Sequence, residues 1–230
     1  MRKLNILITG HTNGIGKSLF QYLSKEHNVT GIARTNDKKN KERQFKCDVS
    51  NYNALKKVFA KIKKIDVLIN NAGISKYSNN DVKNFDKIVK INLNGVYYCS
   101  KLGIKKLKNS SSPRIINISS INAYQAFPNN PGYIASKGGV LSLTRSLALD
   151  CQKNEINVNS ISPGYFKTKM TSKSYNNKIE NEKRKKRTIL KRWGNPDDLF
   201  GLIKFLISEN SSYITGQDFV VDGGWLAKGL

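Results

Sequence analysis

A short apolar run, residues 4–9, ends in Thr9-Gly10-His11-Thr12-Asn13-Gly14-Ile15-Gly16 and passes directly into a helical pattern over residues 14–24. This junction constrains the chain more than any other stretch. An apolar run that empties into a glycine turn and then a helix reads as a buried strand of a parallel sheet followed by its crossover helix. The glycines allow a tight turn and close backbone approach to a pyrophosphate, which sits on the helix N-terminus. Their spacing is G-x3-G-x-G rather than G-x-G-x-x-G. Gly16-Lys17-Ser18 imitates the end of a phosphate-binding P-loop, but that loop needs a glycine where this chain has His11.

The same alternation continues to the end. Strand patterns occupy residues 29–33, 45–48, 67–70, 115–118, 158–161 and 219–221. Helical patterns occupy 52–62, 85–108 and 133–149, and Pro196 opens another through residue 206. Leu55, Val58, Phe59 and Ile62 form one stripe of the 52–62 helix. This order predicts an α/β fold, a doubly wound parallel sheet of seven strands with helices on both faces. No repeat, linker or second core interrupts it, so residues 1–230 form a single domain. Residues 34–43 are too short and polar for a full helix, and residues 168–190 are highly charged without a core stripe.

The formal charge is +24, from 40 basic and 16 acidic residues. The basic residues are mostly Lys and spread along the whole chain among many Asn, apart from the run Lys183-Arg-Lys-Lys-Arg187. That spread favours a general Lys/Asn bias over dedicated nucleic-acid binding; an anionic-polymer binder on an enzyme fold is the distant alternative. No apolar run is long enough to span a membrane. Cys47, Cys99 and Cys151 are odd in number and lack metal-ligand spacing, so they read as reduced thiols of a cytoplasmic protein and no metal site is expected.

Chemistry concentrates mid-chain. Ser120, Tyr133 and Lys137 form a Ser-x12-Tyr-x3-Lys array whose Tyr–Lys half lies in a helical run. Residues four apart share a helix face, and an ammonium beside a phenol draws the phenol's proton affinity toward neutrality. Strand two ends at Ala33-Arg34, where a site selective for NAD carries an acid for the ribose hydroxyls. Arg34 pairs instead with a 2′-phosphate, which favours NADP(H); Asp37 nearby keeps NAD(H) as the alternative. Asp48, in Cys47-Asp48-Val49, is placed either to reach an adenine amino group or to cap the next helix.

In this order the pieces resemble the short-chain dehydrogenase/reductase family, in its single-domain branch, and are similar to its 3-oxoacyl-[acyl-carrier-protein] reductases. Thr9–Gly16 matches TGxxxGxG, and Asn70-Asn71-Ala72-Gly73 matches NNAG. Asn92, Ser120, Tyr133 and Lys137 match the catalytic tetrad, and Pro163-Gly164 with Thr168 matches PGxxxT. Arg192-Trp-Gly194-Asn-Pro196 and Thr215-Gly216-Gln217 with Val221-Asp222-Gly223-Gly224 match two further elements.

The resemblance implies a Rossmann-type sheet and an NAD(P)-dependent enzyme acting on a small-molecule ketone or alcohol, a carrier-bound 3-oxoacyl thioester being one candidate. An NAD-dependent alcohol or sugar dehydrogenase is the other reading. Enoyl reductases share the fold but use a different tyrosine–lysine spacing. The implied roles are proton exchange for Tyr133, support of Tyr133 and the nicotinamide ribose for Lys137, a hydrogen bond to the carbonyl oxygen for Ser120, and a relay water for Asn92. A local backbone bond within its own helix is the other reading of Asn92. The cofactor set is Gly10, Thr12, Asn13, Gly14, Ile15, Gly16, Arg34, Asp48, Val49, Asn71, Ala72, Gly73, Tyr133, Lys137, Pro163, Gly164, Phe166 and Thr168. Residues 168–190 would be the substrate lid. Family members form dimers or tetramers through the two long helices, so a homo-oligomer is expected, with Tyr97, Tyr98, Leu102, Leu141 and Leu147 as contact candidates.

Overall fold

The computed structural model describes residues 2–36, 43–75 and 81–228. The strands are β1 (Asn5–Thr9), β2 (Asn28–Ala33), β3 (Gln44–Lys46), β4 (Val67–Asn70), β5 (Arg114–Ile118), β6 (Asn157–Pro163) and β7 (Asp218–Val221). They form one seven-stranded sheet in the order β3-β2-β1-β4-β5-β6-β7, with every neighbouring pair parallel. The chain winds outward from β1 in one direction and from β4 in the other. All strand C-termini therefore open on one edge, and the crevice lies where winding reverses, between β1 and β4.

The helices are α1 (Gly14–Leu23), α2 (Tyr52–Lys61), α3 (Val82–Val89), α4 (Gly95–Leu107), α5 (Pro131–Asp150), α6 (Ser172–Asn176), α7 (Lys178–Arg187) and α8 (Phe200–Leu206). Alternate residues of β1 face opposite ways. Ile6 and Ile8 pack with Leu19 and Phe20 of α1 and Ile203 and Leu206 of α8. Leu7 packs with Leu55 and Phe59 of α2, Cys99 and Leu102 of α4 and Leu147 of α5. Both faces are thus covered, as near-continuous apolar strands require. No helix among the described residues is long and apolar enough to cross a membrane.

Several elements depart from the sequence reading. The long helix expected over 85–108 starts earlier, at Val82, and is interrupted by a π-helical turn, Lys90–Asn94, before α4. The cause is Asn92, whose side chain leaves its own helix to bond the backbone of Ile74. The third strand ends at Lys46, so Asp48 lies beyond it. Asp48 does not cap α2; Asn51 does, accepting from the Ala54 N–H at 3.0 Å. Leu102 and Leu147 are monomer core, and Leu141 is also buried within the chain, so these three do not present an oligomer contact; of the five, Tyr97 is exposed. Asp37 and most of the 34–43 loop lie outside the described residues.

Residues 168–190 hold α6 and α7. α7 has no buried residue, in keeping with its lack of an apolar stripe. It is held instead by stacking: the Arg184 guanidinium lies 4.4 Å from the Tyr165 ring centroid and that of Arg187 4.7 Å from the Trp225 ring. Such contacts let a cationic helix cover aromatic surface; Arg187 stays exposed, while Arg184 is largely covered and also pairs with Glu180 at 3.3 Å.

Beneath the glycine turn, the His11 ring is 2% exposed and lies against Phe20, with ring centroids 5.0 Å apart. A methyl group on Gly31 would come within 2.4 Å of that ring, so only glycine fits opposite it. Gly31→Ala is expected to cost about 1–3 kcal/mol in urea unfolding through overpacking. Combined with His11→Ala, it should cost less than the sum of the two single changes. A Gly31→Ala protein as stable as the parent would contradict this packing.

Candidate active site

The crevice at the β1/β4 edge is a cleft of about 570 Å³. Three groups of residues border it. The turn after β1 supplies Gly10, Thr12, Asn13, Gly14 and Ile15; the ends of β2 and β3 supply Arg34, Asp48 and Val49. The segment after β4 supplies Asn71, Ala72 and Gly73. From the other half come Ser120, Tyr133, Lys137, Pro163, Gly164, Phe166 and Thr168. Of the sequence-derived set, Gly16 and Asn92 lie off the cleft wall.

Gly16 is packing rather than lining. A Cβ there would meet the Asn71 Nδ2 at 2.2 Å and the Gly10 carbonyl oxygen at 2.4 Å. Asn71 is the staple of the turn: its Nδ2 donates to the carbonyls of Thr9 (3.0 Å) and Gly10 (3.2 Å). Thr9, which the sequence reading placed in the glycine motif without giving it a role of its own, completes the staple. Its hydroxyl oxygen accepts from the backbone N–H groups of Asn71 and Ala72, both at 3.0 Å. These bonds fix β1's exit against β4's exit and hold the crevice at one width.

The turn fits the pyrophosphate of a dinucleotide. Gly10 and Gly14 have φ of +73° and +52°, where a side chain is strained. A Cβ on Gly10 would also stand 2.8 Å from Ala72 Cα. Asn13 gives α1 no side-chain cap, in contrast to Asn51 on α2 and Asp81 on α3, which leaves the first N–H groups of α1 open to an anion. At the far end, Arg34 is exposed, and no acid among the described residues pairs with it. Asp48 is oriented by Ser50, whose N–H and hydroxyl donate to its Oδ1 at 2.9 and 2.8 Å.

Tyr133 and Lys137 lie one turn apart on α5, with the Lys137 ammonium 5.7 Å from the Tyr133 ring centroid. Lys137 is 5% exposed, and its Nζ donates to the Ile118 carbonyl at the end of β5, at 2.7 Å. Burial pushes its pKa down to about 8. It therefore remains mostly cationic at neutral pH, in a place where the charge is little screened. The two neighbouring serines divide their work. Both border the cleft, but Ser119 donates to the Lys137 carbonyl at 3.0 Å and holds α5 to the sheet, while the Ser120 hydroxyl accepts from the Asn122 N–H at 3.2 Å.

Asn92 reaches the site from the π-helical turn. Its Oδ1 accepts from the Ile74 N–H at 2.8 Å and its Nδ2 donates to the Ile74 carbonyl at 2.9 Å and to Ser136 Oγ at 3.2 Å. Ser136 in turn donates to the Tyr133 carbonyl at 2.7 Å. The local-bond reading of Asn92 is thereby replaced: it ties the post-β4 segment to the helix bearing Tyr133 and Lys137. A methyl group on Gly73 would lie 3.4 Å from Asn92 Oδ1 and 3.8 Å from Lys137 Nζ, so bare backbone keeps the space between them open.

The late motifs also find their reasons. A Cβ on Gly164 would stand 2.8 Å from Asp222 Cα, so Pro163-Gly164 and the Asp222-Gly223-Gly224 turn are one contact. Gly194 admits the buried ring of Phe166, which a Cβ there would approach to 2.9 Å. No cluster of His, Cys, Asp or Glu able to hold a metal occurs among the described residues.

Comparison with known proteins matches this geometry. A family model described as enoyl-(acyl carrier protein) reductase matches residues 16–226. The chain is 36% identical to the 3-oxoacyl-[acyl-carrier-protein] reductase FabG of Rickettsia bellii, over 96% of this chain and 95% of that protein. It is 34% identical to the 2-dehydro-3-deoxy-D-gluconate 5-dehydrogenase of Dickeya dadantii, over 96% and 95% of the two chains. The structure of 4-hydroxyisoleucine dehydrogenase complexed with NADH superposes with a TM-score of 0.92 at 32% identity, covering 98% of this chain and 99% of that one.

The burial of Lys137 has a pH signature. Below about 8 both folded and unfolded chains hold the proton, and the native state carries the cost of a buried charge. Between about 8 and the ordinary 10.5 the unfolded chain holds a proton the native chain has released, so stability rises with pH. Relative to Lys137→Met, the parent should gain stability across that window in urea melts. A difference that stays constant with pH would contradict the burial of the charge.

Proposed function

The chain belongs to the short-chain dehydrogenase/reductase family, and from that premise we propose that it interconverts a ketone and a secondary alcohol with NADP(H), a 3-oxoacyl thioester being the favoured substrate. That it is an NAD(P)-dependent oxidoreductase follows from the family itself. One observation carries the finer reading: Ser120, Tyr133 and a buried Lys137 border the same cleft as the glycine turn and Arg34. A bound dinucleotide would supply or accept the hydride.

The protein's part is position and protons. In the reducing direction Tyr133 gives its phenol proton to the carbonyl oxygen, and Ser120 donates a hydrogen bond to that oxygen. Lys137, held by Ile118, steadies the phenolate left behind and offers a proton to replace the one given up. Asn92 holds the post-β4 wall against α5, so the cleft keeps its width while the proton moves. In the oxidising direction Tyr133 takes the proton back. Arg34 supports NADP(H), since its guanidinium suits a phosphate and no acid among the described residues competes for it. The likeness to FabG supports the thioester, and the Tyr-x3-Lys spacing speaks against enoyl reduction. The likeness to a sugar-acid dehydrogenase keeps an alcohol or sugar dehydrogenase as the second reading.

The test is NADPH and NADH consumption with an acetoacetyl thioester. The parent should turn over with NADPH preferred. Tyr133→Phe should lose about 10²–10⁴-fold in kcat while still binding NADPH. Arg34→Ala should weaken NADPH by about tenfold or more while sparing NADH. Equal losses for the two nucleotides would overturn the role of Arg34, and full activity in Tyr133→Phe would overturn the proton assignment. A homo-oligomer joined through α4 and α5, with the exposed Tyr97 at the contact, is part of this proposal. A solution mass above the monomer's 25.9 kDa is expected, and the monomer value would refute it.

A further inference from the structure

The described residues that border the cleft include four that carry charge: Arg34, Asp48, Lys137 and Lys169. Three have a place in the reading above. Lys169 does not, and the sequence reading passed over it, because it sits just outside the PGxxxT motif. Its position is nevertheless defined. The preceding residue, Thr168, lies over the glycine turn: a methyl group added to Gly14 would meet Thr168 Cβ at 3.3 Å and Cγ2 at 3.4 Å. The next residues, Met170 and Thr171, also border the cleft.

A compact turn holds this segment in place. The Thr171 hydroxyl donates to the Phe166 carbonyl at 2.6 Å and accepts from the Thr168 N–H at 3.1 Å. The Thr171 N–H closes the turn on the Thr168 carbonyl at 3.2 Å. Lys169 and Met170 are the exposed residues at the crown of that turn, and no acid among the described residues pairs with Lys169. The turn therefore puts a cationic residue on the border of the cleft that also holds the open N-terminus of α1 and the bare backbone of Gly10 and Gly14.

Resting on the dinucleotide reading of this cleft, we propose that Lys169 is a cationic latch over the pyrophosphate, acting from the wall opposite the glycine turn. The glycine turn offers backbone N–H groups and a helix dipole from one side. Lys169 adds a mobile point charge from the other. It serves the part common to both nucleotides, in contrast to Arg34, which serves only the 2′-phosphate. It is a positioning residue, and its signature is in binding rather than in proton transfer.

The experiment is titration of the full chain with NADPH and with NADH, without carbonyl substrate, at several salt concentrations. Lys169→Ala should weaken both nucleotides by a common factor of about ten. Its binding should also depend less steeply on salt than the parent's. Lys169→Arg should stay within about threefold of the parent, because the charge is kept. Lys173→Ala, an exposed lysine of α6 that does not border the cleft, removes the same charge from the chain and should change nothing. Equal affinities for Lys169→Ala and Lys173→Ala would overturn the latch. So would a loss confined to NADPH, which would move Lys169 to the 2′-phosphate. A parent chain that binds neither nucleotide would overturn the dinucleotide reading itself, a result distinct from either.

Discussion

The site depends on one buried ammonium. Lys137 has lost nearly all its water, and in exchange it has the Ile118 carbonyl at 2.7 Å. A buried charge is costly unless its surroundings are fixed to receive it. Much of the local architecture performs that fixing. The end of β5 supplies the carbonyl, Ser119 ties the Lys137 backbone to the same strand end, and Gly73 leaves room beside the ammonium. Asn92 and Ser136 then lock the helix bearing Lys137 to the segment after β4.

That network accounts for the break between α3 and α4. A continuous α-helix would leave Asn92 bonded along its own axis. The π-helical turn at Lys90–Asn94 turns it toward Ile74, at the cost of one irregular turn. Irregular turns of this kind are often found where function requires a side chain in a set direction. The sheet contributes the rest. Parallel strands put every C-terminal end on one edge, and the reversal between β1 and β4 places the glycine turn and the Tyr133–Lys137 helix on two walls of one cleft.

Much of this was legible in the sequence because it rests on short-range constraints. The apolar runs, the glycine turn and the Tyr-x3-Lys spacing are set by neighbours along the chain, and the seven strands appear where alternation placed them. What could not be read depends on contacts between distant segments. The π-helical turn arises from Asn92 meeting Ile74, and the spacing to Tyr133 that picked out Ser120 did not show that Ser119 would bond the Lys137 carbonyl. Leu102 and Leu147 looked available for an interface because apolar spacing alone does not say which face of a helix meets the sheet. Thr171 carried no motif, and the motif that holds Thr9 did not show its task, since each acts through backbone groups that the sequence does not display. Likewise, the run of cations in α7 showed no core stripe, yet Arg184 and Arg187 stack on Tyr165 and Trp225, rings in other segments of the chain.

The central claim is that the glycine turn and the Tyr133–Lys137 pair serve a single bound dinucleotide. A crystal structure of the chain with NADP⁺ tests it most directly. The account predicts the pyrophosphate on the glycine turn, the nicotinamide ribose bonded to Lys137, and the nicotinamide ring beside Tyr133 and Ser120 with room for a carbonyl between them. A nucleotide bound with its nicotinamide away from Tyr133 and Lys137, or bound outside this cleft, would contradict it.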